Sequence, residues 1–124
     1  MKQNAQESQT LVAESKKHIK EITPQILKEK LESHESMHLI DVREDHEWLE
    51  GFIPLAIHLR KDIIESKIEN TIPNKQEQII VYCRGGVRSA FVAERLESMG
   101  YSQVYSLKTG VLGWMDAGYS IEKK

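Results

Sequence analysis

The sequence predicts an α/β fold built on an open parallel sheet, and three observations predict it. Short apolar runs such as Met37–Val42 and Gln78–Tyr82 alternate with amphipathic segments of helical period, the pattern of successive βαβ units. The 124 residues suit one domain of ordinary globular composition, 40% hydrophobic and 29% charged. The run Gln78–Tyr82 passes straight into a glycine loop and then a helical segment, which sets that loop at the carboxyl edge of the sheet, where open α/β sheets place their ligands.

Residues 1–20 read as a loose polar extension with a short helix over Leu11–Lys20, and the domain is expected over residues 21–124. Thr23-Pro24 reads as a helix start, a hydroxyl cap followed by proline at the first helical position. Ile26, Leu27 and Leu31 are expected on one face of that helix. Met37–Val42 is a buried strand. Arg43–Leu49 is a short helix with acids in its first turn, ended by Gly51 and forbidden to continue by Pro54. Ala56–Leu59 is a second short strand, and Lys61–Asn70 a helix with Ile63, Ile64 and Ile68 at helical spacing. Gln78–Tyr82 is the clearest strand. Ser89–Met99 follows as a helix with Ala93, Leu96 and Met99 on one face, then a strand at Gln103–Leu107 and a helix at Val111–Ala117 stopped by Gly118.

Seventeen basic and nineteen acidic residues give a net charge of −2, without the basic field of a general nucleic-acid binder. No apolar run approaches the ~20 residues of a membrane span, and the polar start lacks the apolar core of a signal peptide. A single cysteine makes no internal disulfide and suits a reducing cytoplasm. His18, His34, His38, His46 and His58 show no ligand spacing, so no metal site is expected.

The chemistry concentrates in Cys83-Arg84-Gly85-Gly86-Val87-Arg88-Ser89. A strand delivers Cys83 to the sheet edge. Two glycines let the backbone curl around the sulfur with amides pointing inward. The helix that follows aims its positive end at the same point, and Arg84 and Arg88 add charge. Together these favour a nucleophilic thiolate. No Gly-Lys-Ser/Thr follows, which excludes a Walker phosphate loop, and Gly85-Gly86 does not fit a dinucleotide G-x-G-x-x-G. Four residues separate Cys83 from Arg88, one fewer than in cysteine phosphatases. The tighter ring of amides suits the terminal sulfur of a persulfide better than a tetrahedral phosphoryl group. No histidine is placed as a base for Cys83, so the loop itself must activate it. Asp41 and Arg43, at the end of another strand, read as a structural ion pair or as the pocket mouth. Lys108 reads as charge near the site or as a solvated lysine, and Trp114 as core.

The pieces Leu39–Glu44, Gly51–Leu59, the Cys83 loop, Leu107–Trp114 and Ala117-Gly118-Tyr119 together resemble the rhodanese family of single-domain sulfurtransferases, over about residues 21–122. Leu55 and Thr109 stand where that family commonly has glycine. The resemblance implies a five-stranded parallel sheet flanked by helices on both faces, with Cys83 as the catalytic cysteine and Arg84, Gly85, Gly86, Val87 and Arg88 as the substrate-binding loop. It also implies double displacement: sulfane sulfur passes from thiosulfate or a similar small anion, through a Cys83 persulfide, to cyanide or a thiol. No cofactor is needed, because the cysteine carries the group. The expected partners are that donor and acceptor, or a protein sulfur acceptor in the alternative role of a persulfide relay, with neither nucleic acid nor membrane, and the chain acting as a monomer.

Overall fold

Alternating burial along the fourth strand organises the molecule. The computed structural model describes residues 19–123. Five strands, β1 (Lys20–Ile22), β2 (His38–Asp41), β3 (Ile57–His58), β4 (Ile79–Tyr82) and β5 (Val104–Leu107), form one parallel sheet in the order β1-β5-β4-β2-β3. The helices are α1 (Pro24–Glu32), α2 (Asp45–Glu50), α3 (Ile64–Thr71), α4 (Val87–Ser98) and α5 (Gly110–Asp116). Every residue of β4 is buried, as a central parallel strand covered on both faces must be. Ile79, Val81 and Cys83 point into a core with Ile64 and Ile68 of α3 and Ala90, Ala93 and Leu96 of α4. Ile80 and Tyr82 point the other way, against Leu27 of α1 and Val111 and Trp114 of α5. The sheet is thus flanked by helices on both faces.

The expected elements form with shifted ends. Thr23 caps α1, its Oγ1 accepting the Ile26 N–H at 3.2 Å, with Pro24 in the first turn. Ile26 and Leu27 do not share a face: successive helical residues lie ~100° apart, so Leu27 is buried and Ile26 is 42% exposed. The helix expected from Arg43 begins at Asp45, because Arg43 folds back onto Asp41. The helix expected from Ser89 begins at Val87, so Val87 and Arg88 belong to its first turn. Strand β1 was not expected. It starts at Lys20, one residue ahead of the anticipated domain start, and Ile19 before it is already in the core. The rest of the helix expected over Leu11–Lys20 lies outside the described residues. Leu55 and Thr109, where glycine would be easier, both take left-handed backbone conformations, with φ of 72° and 66°. The chain end returns to the sheet's C-terminal side, where Phe52 and Glu122 exchange two backbone hydrogen bonds of 2.8 Å.

Sheet order fixes where a site can form. From β2 the chain moves outward to β3, whereas from β4 it moves the opposite way to β5. The connections therefore diverge above the carboxyl ends of β2 and β4, which are adjacent, with Asp41 level with Tyr82. Such a divergence opens a crevice, and Cys83 stands at its floor.

Candidate active site

Cys83 is the first residue beyond β4, and its side chain is buried. The sulfur accepts the Gly86 N–H at 3.1 Å and the Ser89 N–H at 3.4 Å. Gly86 takes φ of 103°, a conformation natural to glycine, and this lets the loop reverse tightly enough to aim its amide back at the sulfur. The first-turn amides of Val87 and Arg88 have no intrahelical carbonyl to bond, as at the start of any helix. The arrangement can hold negative charge on sulfur or on a bound oxyanion.

The loop is braced from three sides. From α5, the Val111 and Leu112 amides donate to the Cys83 and Arg84 carbonyls at 2.9 and 3.1 Å. Gly110 makes that docking possible: it has φ of 59°, and a Cβ there would lie 2.4 Å from the Arg84 carbonyl oxygen. From α2, Glu47 grips Arg88 in a bidentate pair of 2.7 and 2.9 Å and also accepts the Glu44 N–H. From β5, the Ser106 hydroxyl lies 2.8 Å from that of Ser89, which is 3.5 Å from the Cys83 sulfur and 3.3 Å from the Gly86 carbonyl oxygen. Both serines are fully buried. A hydroxyl has one proton and two lone pairs, so Ser89 can accept from a thiol or turn its proton to a thiolate, with Ser106 donating in its place.

Asp41 and Arg43 form a buried structural pair: the guanidinium contacts the carboxylate at 2.8–3.1 Å, and Nη2 also donates to the Gly51 carbonyl at 2.6 Å. Burial opposes the charge on Arg43, but Asp41 outweighs it and holds the guanidinium above its ordinary range. Burial, reinforced by Asp41, keeps the neighbouring Tyr82 phenol protonated. This pair ties β2 to the end of α2, whose Trp48 stacks on Phe52 and His58. The helix carrying Glu47 is thereby set.

The site residues expected from the sequence thus come together unequally. The Gly86 amide touches the sulfur, while Arg84 is exposed, with no side-chain partner among the described residues. Arg88 lies close enough to Cys83 for its charge to be favoured by the sulfur, although both terminal nitrogens are committed to Glu47. Glu47, Ser89 and Ser106 were missed as site residues. Ser106 carried a signal, being the only hydroxyl inside the buried run Val104–Leu107, where an apolar strand must find it a partner. Among the described residues no cluster of His, Cys, Asp and Glu is placed to hold a metal, and no helix is long and apolar enough to cross a membrane.

The Glu47–Arg88 pair sets a pH window. Its hydrogen bonds to Arg88, opposed by burial, hold the Glu47 carboxyl down at about 2, against 4.5 unperturbed. A depressed folded value means the stabilisation is complete above pH 4.5 and is lost as pH falls towards 2. With Arg88 31% exposed, the pair is worth on the order of 2 kcal/mol. Acid titration of stability should show a loss of that size in this window, and Glu47→Gln should remove it. Equal acid sensitivity in both proteins would assign it to other carboxylates.

The model of the family described as Rhodanese-like domain matches residues 23–117. The chain is 42% identical over 96 residues to YtwF of Bacillus subtilis (strain 168), covering 77% of this chain and 90% of that one. It is 32% identical over 102 residues to the thiosulfate sulfurtransferase GlpE of Actinobacillus pleuropneumoniae serotype 7 (strain AP76), covering 82% and 92%. Among solved structures, the rhodanese-like domain protein of Staphylococcus aureus superposes with a TM-score of 0.76 at 38% identity, covering 86% of this chain and 99% of that one.

Proposed function

The chain belongs to the rhodanese-like sulfurtransferase family, and from that premise we propose that it moves sulfane sulfur from thiosulfate or a similar small anion to a second nucleophile, with Cys83 as carrier. The observation that carries this reading is the convergence of the Gly86 and Ser89 amides on one buried sulfur. In the first step the Cys83 thiolate attacks the outer sulfur of thiosulfate. The sulfur–sulfur bond of the donor breaks, its electron pair leaves with sulfite, and a persulfide remains on Cys83. In the second step cyanide or a thiolate attacks the terminal sulfur, and the Cys83 thiolate is restored. Loop amides positioned before the reaction hold the negative charge that moves along this axis. A reducing cytoplasm suits the free thiol, and the unit needs no second copy.

Intact mass after incubation with thiosulfate tests the reading. One sulfur atom should add to the protein and be removed by cyanide or a thiol; an unchanged mass would refute it. Arg84, exposed beside the loop, is the side chain available to the donor's anionic end. A charge-assisted hydrogen bond is worth ~1.5–3 kcal/mol, so Arg84→Ala should lower kcat/KM for thiosulfate roughly ten- to a hundredfold. A parent-like value would place this side chain in solvent throughout turnover.

A further inference from the structure

Beside the loop lies an open groove of about 700 Å³, larger than a small oxyanion needs and within the range of sites for drug-sized ligands. It runs along the carboxyl edge of the sheet, between Pro24 at the start of α1 and Leu112 on α5, and Gly85 forms part of its wall. The same α5 amides that hold the Cys83 and Arg84 carbonyls fix Leu112 relative to the loop. We propose that this groove is the acceptor site and that it takes a small peptide thiol, whose body lies along α5 while its thiolate reaches the sulfur on Cys83. The proposal rests on the sulfur-transfer reading of Cys83.

Two observations carry it. The first is Gly85. Unlike Gly86 and Gly110 it has no positive φ, and a Cβ built on it would meet nothing within 4 Å. Folding therefore does not require glycine here, and any side chain would stand in the space beside the groove. The second is charge. Lys108 and Asp116 both line the groove, one before α5 and one at its end. Both are exposed, and neither side chain has a partner among the described residues. A peptide thiol offers a carboxylate and an ammonium on one body to complement them, whereas cyanide and simple thiols offer neither.

The test compares glutathione with 2-mercaptoethanol, nucleophiles of one type with different bodies, as acceptors from full-length protein loaded with thiosulfate. The glutathione-to-mercaptoethanol rate ratio should fall about tenfold in Lys108→Gln, the size of one charge-assisted contact, and at least as far in Gly85→Leu. Binding is read separately. S-methylglutathione, which cannot accept sulfur, should shift the amide resonances of Gly85, Lys108 and Leu112 in unloaded protein. An unchanged ratio in both variants, or no shifts in the parent, overturns the proposal. Shifts without any loading by thiosulfate would support the groove and refute instead the sulfur-carrier reading on which its use depends.

Discussion

A Cys83→Ser protein is expected to fold normally and transfer no sulfur. The serine hydroxyl fits the space of the thiol and can accept the same amides from Gly86 and Ser89, so thermal melting and circular dichroism should match the parent. Oxygen cannot take the place of the carrier, because the persulfide needs a sulfur–sulfur bond that the acceptor can later break. With a single cysteine in the chain there is no substitute nucleophile. Thiosulfate turnover should fall by a factor on the order of 10^4–10^6, the scale seen when a covalent nucleophile is removed. Intact mass should show no added sulfur at any thiosulfate concentration. Residual turnover above that range would mean that sulfur passes directly from donor to acceptor in the loop, without a covalent stage.

The largest stability effect is expected at Asp41. Asp41→Ala leaves the Arg43 guanidinium buried with only the Gly51 carbonyl for company. Breaking one side of a buried pair costs about 3–5 kcal/mol, which for a domain of this size lowers Tm by on the order of 10–20 °C. Activity should fall with it, because Arg43 sets the end of α2 and α2 presents Glu47 to Arg88. Replacing both partners by apolar residues of similar volume, Asp41→Leu with Arg43→Met, should recover most of the stability, since no charge is then stranded. Denaturant melts of the two variants decide the matter; a double variant as unstable as the single one would show that the pair's polar contacts themselves hold this corner.

Local chemistry made the centre of the fold legible. β4 is apolar throughout because both faces are covered, and the glycines after it have no role in a strand or a helix, so Gln78–Ser89 declares a strand, a loop and a helix start. The Cys83 position followed, because the strand's end decides it. β1 escaped because three residues cannot show a period: Lys20 is exposed and only Ile22 of the strand is buried, so its pairing with β5 is dictated by the sheet rather than by its own sequence. Glu47 escaped for a different reason. It meets Arg88 across 41 positions of chain, and its sequence neighbours, Asp45 and Glu50, are surface acids of the same kind. Arg88 was legible as charge at the site but not as a guanidinium gripped by Glu47, which is a fact of tertiary contact alone. Leu55 and Thr109 show the reverse case, in which the surrounding fold imposes a left-handed turn on residues that disfavour it.

The bridge between Phe52 and Glu122 bears on where this unit can be cut or joined. The family match ends at residue 117, yet the backbone pairing continues to Glu122, and Ile121 packs against the α1–α5 side of the core. A fragment trimmed at the match would lose both backbone bonds to Phe52, whose ring supports Trp48 on the helix that presents Glu47. A fusion joined there would place its linker where a strand should lie. The working boundary for an excised or transplanted domain is therefore Lys123, and the five residues beyond Gly118 behave as a clasp on the far end of the site rather than as a tail.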